Sequence, residues 1–188
     1  MPNTTANRFD STVAGIHVEG KAHSLSAWFV LALRLMMGYA FLHAGWTKFA
    51  FVSGEAFDAT GYLLHATASN GSPIAGFFAG VASTPWLMGI VNIAVPWGEF
   101  LIGLGLIVGA LVRLAAFFGA LMMLTFYLGN WDIAHGVING DFAYMLVFLA
   151  VGAFAAGRII GLDSLIENYT IGGEKLVERY PKLRYILG

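Results

Sequence analysis

The sequence predicts an all-α membrane protein folded as a bundle of four transmembrane helices. Of its 188 residues, 58% are hydrophobic and only 11% are charged, whereas an ordinary soluble domain is about 25% charged. Four long apolar runs follow one another along the chain, and each is close to the ~20 residues that a helix needs to cross a bilayer. Lipid offers the backbone no hydrogen-bond partner, so segments of this length are expected to be helices. The composition excludes a conventional water-soluble domain.

The chain divides into an arm, a transmembrane domain and a tail. Residues 1–26 carry charges but no long apolar run, and they are interpreted as an N-terminal cytoplasmic arm. Residues 27–161 are predicted to form the transmembrane domain, and residues 162–188 a C-terminal cytoplasmic or interfacial helix. The four predicted spans are Ala27–Thr47, Trp86–Ala110, Leu111–Gly129 and Phe142–Gly157.

The loop between the first two spans contains short apolar segments of its own. Residues Glu55–Ala66 form an amphipathic stretch, and Pro73–Ala82 is apolar enough to lie in the membrane interface. A turn is predicted between them at Ser69–Ser72, because Asn, Gly and Ser cluster there. The outer loop is therefore predicted to contain short interfacial helices.

The basic residues predict the orientation of the chain in the membrane. Four crossings place eight of the ten Lys and Arg residues on one side, and that side is expected to be the cytoplasm. The predicted location is thus the cell membrane, multi-pass, with both termini cytoplasmic. The eight residues are Arg8, Lys21, Arg113, Arg158, Lys175, Arg179, Lys182 and Arg184.

Two ionisable residues, Arg34 and Glu99, lie well inside predicted spans. An unpaired charge at such a depth is costly and is by default a functional hypothesis. At 1.5 Å per residue the two lie about 12 Å and 16 Å from the inner helix ends, so an ion pair between neighbouring helices is predicted. The pair either carries function or only fixes the register of the helices.

Each of these residues belongs to a stripe along its helix, and the two stripes are expected to meet inside the bundle. At 100° per residue the first stripe comprises Arg34, Gly38, Phe41, Gly45 and Lys48. The second comprises Asn92, Pro96, Glu99 and Gly103.

Further candidate binding residues surround the outer end of these stripes. Lys48 is interpreted either as a snorkelling anchor beside Trp46 or as a contact for an anion or a quinone headgroup. Asn92, Trp97 and His43 are the other candidates for quinone binding, although His43 lies opposite Arg34 on the first helix.

Cofactor and nucleic-acid chemistry is constrained by what the sequence lacks. The chain has no cysteine, which excludes disulfides, iron–sulfur clusters and zinc–thiolate sites. Its net charge of −1 gives no electrostatic basis for binding nucleic acid. No metal site is predicted, no cofactor motif is present, and a quinone is considered only as a bound substrate.

Several motifs follow one another along the chain. They are Gly45–Lys48 at the end of the first span, Glu99, Gly103, Gly109 and Arg113 in order, and Gly157-Arg158 with Leu162-Asp163 after the fourth span. In these motifs the chain resembles the DoxX/DoxD family of small four-span membrane proteins over about residues 30 to 165. Arg34, Lys48, Glu99 and Arg113 match family positions.

The resemblance implies a function in membrane redox chemistry. DoxD is the membrane subunit of a thiosulfate:quinone oxidoreductase and works with a second subunit, DoxA. The leading hypothesis is therefore a quinone-interacting redox subunit in which Glu99 and Arg34 are catalytic, with a DoxA-like or other redox partner. An assembly of several copies in the bilayer is a further expectation.

Two alternatives stay open. The protein is either a non-catalytic scaffold that docks a partner protein, or a carrier of protons or small solutes that uses Arg34 and Glu99 as a midplane site. Space for a ligand beside Glu99 would favour the redox hypothesis, whereas solid packing there would favour the scaffold.

Overall fold

The computed structural model of the protein describes residues 8–23, 25–131 and 136–188. Its helices are α1 (Ser26–Thr47), α2 (Ala50–Ser53), α3 (Thr67–Ser69), α4 (Ala75–Ala82), α5 (Pro85–Val108), α6 (Val112–Gly129), α7 (Gly140–Ala153), α8 (Leu162–Asn168) and α9 (Leu176–Arg179). A π-helical turn covers Tyr62–Ala66, and 3₁₀ turns cover Ala156–Arg158 and Pro181–Tyr185. Its strands are β1 (Arg8–Val13), β2 (Ile16–Lys21), β3 (Thr170–Ile171) and β4 (Glu174–Lys175).

Four apolar helices form the body of the molecule, as predicted. Helices α1, α5 and α6 are long and apolar enough to cross a membrane, and α7 is a shorter apolar helix of 14 residues. The first three agree with the predicted spans to within two residues. The fourth ends at Ala153 rather than at Gly157, because Ala155 adopts a left-handed conformation and a 3₁₀ turn follows. The protein is an all-α membrane bundle.

Helices α1 and α5 pack against each other in antiparallel directions, with glycines at the contact. A Cβ on Gly45 would lie 2.7 Å from the carbonyl oxygen of Pro96, and one on Gly103 would meet the backbone nitrogen of Leu42. Small residues let membrane helices approach this closely. The two predicted stripes therefore do meet inside the bundle.

The register of α1 against α5 defines two ends of the bundle. Gly38 contacts Ile107, while Gly45 contacts Pro96 and Phe100. Below, the end at which α1 begins and α5 ends is called the Arg34 end, and the opposite end is called the Lys48 end. A core of buried apolar side chains, which includes Met37, Leu106 and Phe148, joins α1 and α5 to α6 and α7.

The loop at the Lys48 end folds into short helices, as predicted. The π-helical turn continues directly into α3, a turn with Gly71 at φ +67° follows, and α4 leads to α5. Ala59, Leu63 and Phe78 of this loop form a small core together with Met88 of α5. The loop is thus a packed cap over one end of the bundle.

The arm and the tail contain structure that the sequence patterns did not predict. Strands β1 and β2 pair as an antiparallel hairpin, with Val13 opposite Ile16 at its turn. The single helix predicted for residues 162–188 is wrong, because α8 ends at Asn168 and the chain turns back through a two-stranded hairpin. Gly172 and Gly173 both have positive φ in this turn, a conformation that glycine adopts without steric penalty.

Candidate functional site

A buried ion pair between α1 and α5 lies at the Lys48 end of the bundle. Lys48 Nζ is 2.6 Å from Glu99 Oε2, and it also donates to the carbonyl oxygen of Ala44 at 3.2 Å. The side chain of Glu99 is 5% exposed and that of Lys48 is 28% exposed. Lys48 leaves the end of its helix and turns back toward the carboxylate, so the pair is buried on the Glu99 side and reachable on the Lys48 side.

The predicted ion pair between Arg34 and Glu99 is wrong. The guanidinium of Arg34 lies beside Gly109, since a Cβ on that glycine would be 3.0 Å from Arg34 Nη1. Gly109 is ten residues along the chain from Glu99, which corresponds to about 15 Å of helix. The glycine contacts fix this register, whereas the depth estimate assumed that α1 and α5 end at the same level. The carrier hypothesis took Arg34 and Glu99 as one midplane site, and they do not form one.

Arg34 instead binds the backbone that follows α7. Its Nη1 donates to the carbonyl oxygens of Ala156 at 2.6 Å and Ile159 at 2.8 Å, and its Nη2 donates to that of Ile160 at 3.1 Å. The residue is only 1% exposed. Backbone carbonyls outside a helix lack partners in an apolar surrounding, so the guanidinium supplies the hydrogen bonds that this irregular segment needs.

Asp163 is a second buried charge at the Arg34 end, and the sequence analysis gave it no role. It is fully buried, and its carboxylate accepts from the backbone nitrogens of Leu111 at 2.7 Å, Val112 at 2.9 Å and Gly188 at 3.0 Å. An acid at the N-terminus of a helix satisfies free N–H groups and favours the helix dipole. The signal in the sequence was the Leu162-Asp163 motif that comes shortly after the fourth span.

Aromatic side chains form a wall next to the Lys48–Glu99 pair. The ring centroids of Phe49 and Trp97 are 4.9 Å apart, and Phe100 lies 5.5 Å from Phe49. Trp46 joins the same group, at 6.2 Å from Phe100. Trp97 is 50% exposed, so one face of this wall is open to the surroundings of the bundle.

The two other predicted quinone-binding residues lie elsewhere. His43 is exposed on the opposite side of α1 from the buried stripe, where its ring stacks on Tyr39 at 5.9 Å. Asn92 holds the loop, because its Oδ1 accepts from the backbone nitrogen of Ala59 at 3.0 Å and its Nδ2 donates to Asp58 at 3.4 Å. The structure therefore pairs Lys48 with Glu99 and packs Trp97 against Phe49 and Phe100, the residues that follow each of them, whereas His43 and Asn92 have other partners.

A polar network ties the loop to α6 and α7 at the Lys48 end. The hydroxyl of Tyr62 donates to Asn130 Oδ1 at 2.9 Å, and Asn130 Nδ2 donates to Asp141 at 2.8 Å. Burial, together with the carboxylate of Asp141, raises the pKa of Tyr62 to about 12. Asp58 accepts from both the backbone and the hydroxyl of Thr60, and these bonds lower its pKa.

An apolar groove with a volume of about 780 Å³ lies between α5 and α6. Its walls include Val95, Gly98 and Ile102 on α5 and Leu114, Phe118 and Met122 on α6. Arg34, Lys48 and Glu99 do not line it. Within the described ranges, no three His, Asp or Glu side chains converge as metal ligands. The groove suits an apolar chain, and the polar chemistry of the molecule is concentrated at the ion pair.

Comparison with known proteins gives one match. A family model described as DoxX matches residues 29–129, which is just over half of the chain and runs from the start of α1 to the end of α6. The matched range contains Arg34, Lys48 and Glu99. No curated protein and no solved structure matches the chain.

Proposed function

The chain belongs to the DoxX family of membrane proteins, and from this premise we propose that it is a quinone-interacting subunit of a membrane redox system. The observation that carries the proposal is the ion pair between Lys48 and Glu99, which is buried on one side and reachable on the other. Ionisable groups inside a membrane helix are costly, and they commonly mark ion, proton or substrate paths.

Glu99 is the proton-exchanging group in this proposal. Reduction of a quinone to a quinol consumes two electrons and two protons, so the protein must deliver protons to a molecule dissolved in lipid. When Glu99 takes up a proton, the net charge of the Glu99–Lys48 pair rises from 0 to +1, and release of the proton to the quinone returns it to 0. Lys48, which is 28% exposed, connects the carboxylate to the membrane surface at its end of the bundle.

The aromatic wall is the proposed contact for the quinone ring. Trp97 and Phe49 present faces on which a planar ring can stack, and both lie on the helices that carry the ion pair or directly beside them. Arg34 has no part in this step, because it is bound to the backbone at the opposite end.

Thiosulfate is the electron donor that the family resemblance implies. Two thiosulfate ions joined as tetrathionate release two electrons, which balances the reduction of one quinone with uptake of two protons. The chain has no cysteine, so in this proposal the electrons pass either directly from the donor to the quinone or through a cofactor of a partner subunit, such as a DoxA-like protein. Lys48 is the proposed contact for the anionic donor or for the quinone oxygen.

A second candidate function, a non-catalytic scaffold for a partner protein, is favoured by a different observation. Glu99 is satisfied by Lys48, and the apolar groove between α5 and α6 has neither residue in its walls. In this case the pair only fixes the register of α1 against α5, as buried polar pairs do in other proteins.

The test is quinone reduction by the protein isolated in native membrane discs together with its partners, with thiosulfate as the donor. We expect Glu99→Gln to lower the rate by about 100-fold, the usual contribution of a general acid or base. The matched control is Glu55→Gln, an exposed acid at the same end of the bundle. Quinone that co-purifies with each variant is extracted and quantified as a separate measure of binding.

The outcomes separate the two functions. An unchanged rate in Glu99→Gln, or no quinone in any preparation, contradicts the redox proposal. Partners that stay bound to a variant without quinone activity support the scaffold.

A further inference from the structure

The last residues of the sequence are fixed against the Arg34 end of the bundle. Arg113 Nη1 donates to the carbonyl oxygen of Arg184 at 2.6 Å. The backbone nitrogen of Leu114 donates to the carbonyl oxygen of Ile186 at 3.3 Å. The side chain of Leu187 is almost fully buried. The tail is therefore docked onto the first turn of α6 rather than extended into solvent.

This docking fixes the depth of the tail in the membrane. Arg113 and Leu114 lie at the beginning of α6, an apolar helix of 18 residues. Such a helix is about 27 Å long, slightly less than the ~30 Å hydrocarbon core. The beginning of α6, and with it the docked tail, is therefore expected at the boundary between hydrocarbon and headgroups.

The outward side of this tail is basic and aromatic. We define the basic tail surface as the exposed side chains Arg179, Tyr180, Lys182, Arg184 and Tyr185. Tyr185 is 81% exposed, and residues 179–188 contain no acid. Among the described residues, none of the three cations forms an ion pair. Tyrosines favour the headgroup level of a bilayer, and clustered Lys and Arg favour anionic lipid.

We propose that the basic tail surface binds the phosphate groups of anionic lipids at the Arg34 end. Three cations with no acid among them complement a phosphodiester, and the two tyrosines can lie among the glycerol and acyl groups. The occupant is a lipid headgroup rather than an acidic soluble protein, because the docking contacts hold the surface at headgroup depth.

A basic residue at the same end of the bundle provides the matched control. Arg158 forms two hydrogen bonds to Glu167, at 2.8 Å and 2.9 Å. Its charge is already neutralised within the protein, and this pairing raises its pKa. Arg158→Gln thus removes one positive charge from the same end without removing a charge that is available to lipid.

The experiment measures which lipids the full-length protein retains. The protein is reconstituted in an equal mixture of phosphatidylglycerol and phosphatidylcholine, extracted gently, and its bound lipids are quantified by mass spectrometry. We expect the wild type to retain phosphatidylglycerol preferentially and the triple variant Arg179→Gln/Lys182→Gln/Arg184→Gln to lose this preference. Each basic residue near an anionic surface contributes roughly a fivefold preference.

The single variants Lys182→Gln and Arg184→Gln are expected to give intermediate preferences, so the proposal stays testable if the triple variant does not fold. Inorganic phosphate added during extraction should leave the preference unchanged if the ligand is a lipid, whereas loss of preference assigns the surface to free phosphate and contradicts the proposal. Equal retention of both lipids by the wild type, or an Arg158→Gln variant that loses as much preference as Lys182→Gln, would overturn it.

Discussion

Among single side chains, Lys48 contributes to the stability of the bundle through the charge that it neutralises. Glu99 lies inside α5 with 5% of its side chain exposed. Without Lys48, its carboxylate would have no cationic partner within the bundle that the structure describes. Removal of one member of a buried pair is strongly destabilising, because the other charge is left uncompensated.

We predict that Lys48→Met lowers the free energy of unfolding by about 2–3 kcal/mol, at the lower end for buried pairs because Lys48 is 28% exposed. Unfolding is measured in detergent micelles with a chemical denaturant. The control is Lys182→Met, which removes an exposed lysine from the tail and should change stability by less than about 0.5 kcal/mol.

The double variant Lys48→Met/Glu99→Leu should recover most of the loss, since neither charge then stays buried alone. A Lys48→Met protein as stable as the wild type would show that the ion pair makes no contribution.

The phenol of Tyr62 provides a prediction on pH. Its folded-state pKa of about 12 lies above the ordinary value of 10, so folding favours the neutral phenol. This contribution to stability is fully present below pH 10 and is lost as the pH rises toward 12.

The ultraviolet absorbance of the wild type and of Tyr62→Phe is measured as the pH is raised. The difference between the two titrations should show one tyrosine that ionises near pH 12. Asp141→Asn removes a negative charge near the phenol and should lower this pKa. A difference spectrum that titrates at the ordinary value in the wild type contradicts the network.

The sequence predicted that Glu99 pairs with a basic residue of the first helix, but not that this residue is Lys48. The stripes placed Arg34, Lys48 and Glu99 on facing surfaces. The depth of each residue along its helix then favoured Arg34 as the partner of Glu99. The relative shift of two helices depends on contacts such as Gly45 with Pro96, and no pattern within one helix reports that shift. Lysine also reaches several ångströms beyond its Cα, which allowed a residue at a helix end to neutralise a charge within the span.

At the scale of elements, the contact between α1 and α5 depends on glycine. A Cβ on Gly103 would meet the backbone nitrogen of Leu42 and lie 2.8 Å from the carbonyl oxygen of Gly38. Because these atoms belong to a helix backbone, they cannot rotate away as a side chain would. A methyl group at this position must push the two helices apart.

We predict that Gly103→Ala destabilises the bundle by about 1–3 kcal/mol, the usual range for overpacking. The matched control is Gly89→Ala in the same helix, where a Cβ would meet nothing within 4 Å. Alanine is the better helix former there, so Gly89→Ala should be neutral or slightly stabilising. Thermal unfolding of both variants in one detergent checks the difference, and equal stabilities contradict the packing described.

Elements with a strong apolar signal were predictable, and irregular elements were not. Helices α1, α5 and α6 follow from long apolar runs. The hairpin of β1 and β2 has no buried side to give its sequence a clear pattern, and the tail turns at Gly172-Gly173 within a stretch of mixed polarity. The early end of α7 is followed at Ala155 by an irregular segment whose carbonyls are bound by Arg34, a residue distant in sequence.

For the whole molecule, we expect four crossings, which would place the arm and the tail on the same side of the membrane. The absence of cysteine makes this simple to test, because one introduced cysteine is the only thiol. Ser11, Glu174 and Ser69 are exposed positions in the arm, the tail and the loop. We predict that Ser11→Cys and Glu174→Cys react with a membrane-impermeant maleimide only from the cytoplasmic side, and Ser69→Cys only from the other.

The reagent reaches the outer side of the membrane in intact cells and the cytoplasmic side in inside-out vesicles. If Ser11→Cys and Glu174→Cys react from opposite sides, the chain crosses an odd number of times and α7 does not span. If all three orientations are reversed, the distribution of basic residues does not set the orientation.

The short length of α7 has a consequence for the lipid around the protein. Helix α5 has 24 residues and α7 has 14, which corresponds to apolar lengths of about 36 Å and 21 Å. A bilayer adjusts to such a mismatch by thinning next to the shorter segment, at a modest free-energy cost per ångström. We therefore expect an annulus of lipid of uneven thickness around the protein, thinner beside α7 than beside α5.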